Sequence, residues 1–407
     1  MMKIFPVLAA ACVATGLLAG TASADISDGV VRISVMNDQS GQYSDGAGPG
    51  SVAAARIAIE EFGGKVAGVP IELVVTDHQN KADIAAVQAR SLYDTGKVDV
   101  IADLANSAVS LAVQDIARER GKAVLHVGSA HADLYGKACS PTGALWIYDT
   151  HSLAEGLTRA VVADGGTSWF FITADYAFGK AIQAEATKIL ESVGGKVVGS
   201  VVHPVNTPDF ASFLLQAQGS GAKLVALANA GMDTPNAIKQ AKEFGITAGG
   251  QKLAVLIFYI TSVKAVGAEN AQGLQFLTAY YWDHDDASRA FAKRFAELRD
   301  GRMPNQNQAG VYSAVRHYLR AVEAAASDDG LTVMRKMKEL PVDDFIGRGA
   351  TIRPDGRLQN DMMLAEVKAP KDIRGEWDLL TIRQTVKGAD ILRPIAEGGC
   401  NHLDPAQ

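Results

Sequence analysis

Residues 60–74, EEFGGKVAGVPIELV, and residues 190–204, LESVGGKVVGSVVHP, carry the same pattern 130 residues apart. Each ends a helix-like segment at Gly-Gly, enters an apolar run through Lys-Val and places a further glycine soon after. Gly63-Gly64 and Gly194-Gly195 fit helix C-terminal caps that need a left-handed residue. A repeat at the same step of two helix–strand series predicts two similar lobes.

The surrounding chain supports that reading. Strands are predicted at 31–36 (VRISVM), 71–77, 98–102, 122–127, 168–173 (SWFFIT), 196–202, 223–228 and 252–257. Helical periodicity falls between them, at 51–62, 82–94, 108–119, 153–164, 178–192, 210–218 and 234–244. Short runs apolar on both faces, each followed by a helix, imply parallel sheets covered on both sides. The fold class is α/β, with two Rossmann-like doubly wound lobes. After residue 274 the pattern changes to helices at 287–299, 309–326 and 331–339 and short strands near 362–368 and 378–385. That mixture is too small for a third complete sheet and is expected to complete the first two lobes, which requires more than one crossing between them.

Met1–Ala24 reads as a cleavable export signal, with Lys3, an apolar run from Ile4 to Gly20, and Ala22-Ser23-Ala24 as the cleavage site. Leu18-Ala19-Gly20 is followed by Thr21 rather than the cysteine a lipoprotein needs, and no later run is long and apolar enough to span a membrane. Apolar residues at 48% and charged residues at 21% are globular values, and 407 residues exceed what one core usually supports. A formal charge of −6 without a basic block argues against nucleic acid or anionic lipid as partner. Beyond the signal only Cys139 and Cys400 remain. They are either a disulfide, as an oxidising compartment permits, or two buried thiols.

The glycine-rich segment 41–51, GQYSDGAGPGS, lies between the first strand and first helix, where dinucleotide enzymes hold a pyrophosphate. It fails as that fingerprint. Read from Gly46, the third glycine position is Ser51, Pro49 removes a backbone donor, and the turn is too long. G-x-S-x-G, H-E-x-x-H, C-x-x-C and G-K-[ST] are also missing. Asp283-His284-Asp285-Asp286 precedes a helix and reads as capping residues rather than a metal site. No catalytic residues, cofactor or metal are expected. The rival reading of a secreted α/β enzyme lacks a nucleophile–base pair, and a sensor ectodomain would need an anchor and signalling segment.

Polar and aromatic residues instead gather where strands end and helices begin, the crevice in which open α/β sheets bind ligands. These ends are Gln39–Tyr43, Asn106-Ser107-Ala108, Gly128–His131, Ala174–Gly179, Asn229–Asp233 and Phe258-Tyr259. Hydroxyls and free N–H groups at helix N-termini can bind a carboxylate without Arg or Lys. Each Ser or Asn alone is equally an ordinary N-cap.

In combination, VRISVMNDQSGQYSDGAGPGSVAAARIAIEEFGG, DHQNKAD (77–83), LANSAVSLAVQDIA (104–117), TADYAFGK (173–180) and QAGVYSAVRHYLRAVEAA (308–325) resemble the type I periplasmic binding proteins of ABC transporters. Within these the resemblance is to the branched-chain amino acid-binding class. It implies two lobes joined by three crossovers, here near Tyr148–His151, Tyr281–Asp283 and Pro341–Arg348, giving lobes 25–149 plus 283–342 and 150–282 plus 343–395, with a tail at 396–407. It also implies a periplasmic monomer that closes on a small ligand and docks on a membrane permease. Ligand contacts fall on Asn106, Ser107 and the Ser129-Ala130-His131 turn in the first lobe, and on Tyr176 in the second. Ser40, Tyr43, Tyr148, Asn229, Phe258 and Tyr259 complete the candidate site.

One departure bears on the ligand. Where amino acid binders carry a second-lobe carboxylate for the ligand's ammonium, this chain reads Leu256-Ile257-Phe258-Tyr259-Ile260. A desolvated ammonium without a partner costs several kcal/mol. An apolar, aromatic pocket with hydroxyl donors therefore favours an acid lacking an amino group, with an aromatic carboxylate such as a benzoate or phenylpropanoid leading. Branched-chain amino acid binding, with Asp175 or Asp233 as substitute partner, is the alternative.

Overall fold

The computed structural model describes residues 25–403; the expected signal, residues 1–24, lies outside them. The first lobe begins with β1 (Val31–Asn37), α1 (Gly48–Glu61), β2 (Lys65–Val66), β3 (Val69–Asp77), α2 (Ala82–Asp94), β4 (Val100–Asp103), α3 (Ser107–Glu119), β5 (Ala123–His126) and β6 (Gly143–Leu145). Its sheet runs β2-β3-β1-β4-β5-β6, parallel except for β2 against β3. All but one residue of β1 and every residue of β4 and β5 are buried, because helices cover both faces.

The second lobe repeats the unit with α4 (Thr150–Ala163), β7 (Ser168–Ala174), α5 (Ala177–Ser192), β8 (Lys196–His203), α6 (Ala211–Gly219), β9 (Leu224–Ala228), α7 (Asp233–Glu243), β10 (Lys252–Val255), α8 (Ile260–Val266) and α9 (Ala268–Ala271). Its strands lie in the order β10-β9-β7-β8, all parallel. All eight parallel strands expected from the sequence form. Helix α1 starts at Gly48 rather than at 51, since Pro49 sits in the first turn, where a missing N–H leaves no bond unmade. Gly63, Gly64 and Gly194 take the left-handed conformation at their helix ends.

The last third departs from expectation. β11 (Gln275–Thr278), β12 (Met362–Val367) and β13 (Leu380–Val386) form a separate antiparallel sheet. Three strands suffice because one face is covered: Phe276, Ala365, Val367 and Leu380 share a core with Phe170, Ile172, Val225 and Leu227 of the second lobe. Helices α10 (Asp286–Leu298), α11 (Gln306–Ala325) and α12 (Gly330–Glu339) return to the first lobe, where Phe291, Phe295, Val315 and Leu319 pack with Ile33, Val35 and Ile57. Asp285 caps α10 by accepting from the Ser288 N–H at 2.8 Å, and no cluster able to hold a metal occurs among the described residues.

The segments between the lobes are tied to each other. Arg357 bridges to Leu145 at the edge of the first sheet, so the chain leaves that sheet after Leu358, later than the stretch 341–348. The reason is the fully buried Arg357 itself. Its Nε donates to Asp149 Oδ2 at 2.8 Å and its Nη1 to Trp146 O at 2.8 Å and Asn360 Oδ1 at 3.1 Å. Asn360 Nδ2 donates to Ile147 O at 3.1 Å, and Tyr135 Oη donates to Asp149 Oδ1 at 3.1 Å. Asp149 also caps α4 by accepting from the Ser152 N–H at 2.9 Å. Cys139 and Cys400 form a disulfide, so residues 396–400 are pinned to the first lobe rather than loose.

Burial alone would raise the Asp149 pKa, but Arg357 and the Ser152 bonds more than offset it and hold the carboxyl below its usual range. Its stabilising contribution is therefore present above the unfolded carboxylate range and lost as pH falls through the lowered folded value. Removing one partner leaves a buried charge uncompensated. Arg357→Met is expected to lower the unfolding free energy by about 3–5 kcal/mol in denaturant melts near pH 7, and a change below about 1 kcal/mol would contradict the assignment.

Candidate functional site

A cavity enclosing about 630 Å³, its solvent-open part included, lies between the lobes at the C-terminal ends of their strands. The first lobe contributes the loop after β1 (Gln42 to Ala47), the start of α3 (Ala105 to Ser107), the turn after β5 (Gly128 and Ala130), and Asn307 of α11. The second contributes Tyr176 and Phe178 after β7, Ala230, Gly231, Met232 and Pro235 after β9, Ile257 and Tyr259 after β10, and Ser262 and Ala265 of α8.

The wall carries no Lys, Arg or His, and its one acidic side chain, Asp45, sits at the rim 3.7 Å from Arg302. Polarity comes from hydroxyls and amides. Burial pushes the phenols of Tyr43, Tyr176 and Tyr259 upward, so they stay protonated donors at neutral pH. Tyr259 and Tyr148 share a hydroxyl–hydroxyl bond of 2.6 Å, and the rings of Tyr43 and Tyr176 lie 6.5 Å apart. Ser129 Oγ is 3.4 Å from Ser107 Oγ. The backbone N–H groups of Ser107, Ser129 and Ala130 make no bond within the described residues. These donors form a cradle suited to a carboxylate, assembled without a cation.

The candidate residues divide by geometry. Tyr43, Asn106, Ser107, Ala130, Tyr176 and Tyr259 line the cavity. Asn106 is also the α3 cap, its Oδ1 accepting from the N–H groups of Ala108 at 2.8 Å and Val109 at 3.2 Å. Ser129 sits between two lining residues, and Tyr148 stands behind Tyr259. The other four lie elsewhere. Ser40 is exposed on the loop. His131 caps the turn 132–134, its Nδ1 accepting from the Asp133 N–H at 3.2 Å. Asn229 is fully buried, its Oδ1 accepting from Thr234 Oγ1 at 2.8 Å. Phe258 packs edge-on against Phe276 at 5.4 Å in the second-lobe core, because alternation along the extended chain turns Ile257 and Tyr259, not Phe258, toward the cleft.

Gln42, Phe178 and Met232 also line the cavity; they fall within the strand ends named from the sequence but not among the candidate contacts, and Asn307 falls outside both. The run Asn305-Gln306-Asn307-Gln308 carried a signal, since all four polar residues are buried at the start of α11.

The lobes are in contact across the cleft. Gln42 Nε2 donates to Asp233 Oδ2 at 3.0 Å and Ala230 O at 3.3 Å, and Asn305 Nδ2 donates to Thr261 Oγ1 at 3.3 Å. A Cβ on Gly46 would stand 2.9 Å from the Tyr259 ring, and one on Gly231 (φ +63°) 2.8 Å from the Tyr43 ring. Two neutral clefts closed edge to edge describe a binding device, and residues 30–372 match the family model described as periplasmic binding protein. The chain belongs to that family.

Among solved structures, a periplasmic binding protein from Burkholderia mallei is 44% identical with a TM-score of 0.90, covering 92% of this chain and 100% of its own. A branched chain amino acid ABC transporter periplasmic ligand-binding protein from Burkholderia xenovorans is 39% identical with a TM-score of 0.82, at the same coverage of 92% and 100%. A Rhodopseudomonas palustris solute-binding protein in complex with benzoate shares the fold at 18% identity and a TM-score of 0.80, covering 92% of this chain and 100% of its own. Curated proteins give no match. This periplasmic binding protein thus has the type I fold of ABC-transporter ligand-binding proteins, and its family and neighbours are solute-binding proteins rather than enzymes. The family implies a periplasmic location, and no described helix is long and apolar enough to cross a membrane.

Closure of this binding protein brings Gly231 against Tyr43, so added bulk there acts on the closed state. Gly231→Ala also meets a left-handed backbone that costs Ala roughly 1 kcal/mol or more. The substitution is expected to weaken binding of a ligand that the wild type takes by about tenfold or more. Gly219→Ala, with open space around it, serves as control. Equal affinity of wild type and Gly231→Ala in calorimetric titration would contradict the closed geometry.

Proposed function

We propose that this binding protein captures a small carboxylic acid without an amino group, aromatic in the leading reading, and delivers it to the permease of an ABC importer. The observation that carries the proposal is the lack of any buried carboxylate in the wall to neutralise an ammonium. Asp175 is exposed and paired with Lys180 at 2.7 Å. Asp233 does not line the cavity, and its oxygens accept from Gln42 Nε2, Asn206 N and Thr207 N at 2.8–3.0 Å. Asp45 is at the rim, 3.7 Å from Arg302.

The ligand's carboxylate lies on the N–H groups of Ser107, Ser129 and Ala130 and the Ser107 hydroxyl. Tyr43 and Tyr259 approach from either side, with Tyr176 and Phe178 covering an apolar or aromatic body. Because both lobes supply contacts, the complete set exists only in the closed form, and the ligand shifts an open–closed equilibrium by its differential affinity. No bond is made or broken. The lobes divide near residues 149, 282 and 360, residues 1–24 direct export, and the closed monomer presents itself to the permease.

A branched-chain amino acid is the second reading, favoured by the name of the Burkholderia xenovorans relative. A ligand at one hundred times its Kd stabilises a fold by about 2.7 kcal/mol, so a thermal-shift panel separates the two. Benzoates, phenylpropanoids or oxo acids are expected to raise the melting temperature and leucine, isoleucine and valine to leave it unchanged; the reverse pattern sinks the proposal.

A further inference from the structure

Two amides in the cavity wall are each held in one orientation by a buried aspartate that does not itself face the cavity. Asn307 is 1% exposed, and its Nδ2 donates to Asp103 Oδ1 at 3.0 Å and Ser51 Oγ at 3.4 Å. Asp103 is fully buried and is held in turn by Asn37 Nδ2 at 2.7 Å. Across the cleft, Gln42 Nε2 donates to Asp233 Oδ2 and to Ala230 O. A carboxylate and a carbonyl accept only, so the nitrogen of each amide must face them and the oxygen must turn away. The two oxygens so turned, Asn307 Oδ1 and Gln42 Oε1, are buried, belong to residues lining the cavity, and have no partner in the protein. Both come from the first lobe, Gln42 being fixed by an aspartate of the second and Asn307 by one of its own.

A buried acceptor left unmade is costly, whereas one met by a donor of the right shape is not. The carboxylate cradle cannot serve these oxygens, since a carboxylate brings no donor. We propose that Asn307 Oδ1 and Gln42 Oε1 are specificity determinants that read hydroxyl groups on the ligand, so that the preferred class is a hydroxylated carboxylic acid. Asp103 and Asp233 are positioning residues that fix the two amides. The inference rests on the reading of the cavity as an acid site and adds a second requirement to it. A site built to pair a ligand hydroxyl rejects the analogue lacking it more strongly than an apolar wall rejects a change in size.

Matched pairs test it. Benzoate is compared with its 2-, 3- and 4-hydroxy and 3,4-dihydroxy derivatives, and cinnamate with 4-hydroxycinnamate, by calorimetric titration of the wild-type chain. At least one hydroxylated member is expected to bind about tenfold or more tightly than its parent. Gln42→Met and Asn307→Leu are each expected to shrink that ratio. Gln42→Met also removes a contact between the lobes and weakens both members alike, so the ratio, not the affinity, reads the acceptor. The wild-type ratio decides even where Asn307→Leu fails to fold. Parents binding as tightly as every hydroxylated partner, or a ratio unmoved by Gln42→Met and by folded Asn307→Leu, would overturn the inference while leaving the acid reading intact. Binding of leucine with no acid bound would overturn both.

Discussion

Two segments that carry the chain between its lobes are held to each other by the buried pair of Asp149 and Arg357. An ion pair without solvent contact is stabilising only when its geometry is close to ideal and its remaining donors are met. Here Asp149 accepts from Arg357, Tyr135 and the first turn of α4, while Arg357 donates through Nε to Asp149 and through Nη1 to the Trp146 and Leu358 carbonyls and Asn360, leaving Nη2 without a partner among the described residues. The pair therefore joins the edge of the first sheet, the first helix of the second lobe and the return strand to the third sheet. The placement of the two cleft faces opposite each other depends on that junction. A buried apolar cluster that contains Ile33, Trp146 and Tyr148 together with Leu153, Leu157 and Trp169 also runs across that junction.

The cleft itself uses few charges. Backbone amides, phenols kept neutral by burial and serine hydroxyls supply the donors, and the aspartates near the cavity are turned to holding Asn307 and Gln42. A neutral cradle selects by the number and placement of its donors rather than by Coulomb attraction. It also loses little when the lobes part, because no unpaired charge is left behind. Closure places Gly46 and Gly231 where the rings of Tyr259 and Tyr43 come to rest, so the absence of two β-carbons is part of the shape of the closed state.

Much of this was legible in the chain. β1, β4, β5, β7 and β9 are buried almost throughout and stand out as uniform apolar runs, whereas β3 and β8 are partly exposed, and the cleft falls where the strands end. Tyr43, Ser107, Tyr176 and Tyr259 could be picked by that rule alone. The same uniformity hid the phase of alternation. In Leu256–Ile260 nothing polar marks which residue faces inward, and Phe258 was placed in the cleft although it belongs to the core. Asn307 was out of reach for another reason. It enters the site from a helix some 200 residues from Asn106, and only the packing of α11 against α1 brings it there. The third sheet escaped because its strands, β11 and β12, are separated by the entire helical excursion to the first lobe.

What the cavity holds, an acid or an amino acid, is the central question. Mass spectrometry of the small molecules released when the protein, purified natively from its own periplasm, is denatured tests this most directly. A carboxylic acid without an amino group, recovered in amounts comparable to the protein, is the predicted result. Recovery of leucine, isoleucine, valine or another α-amino acid in such amounts would contradict it.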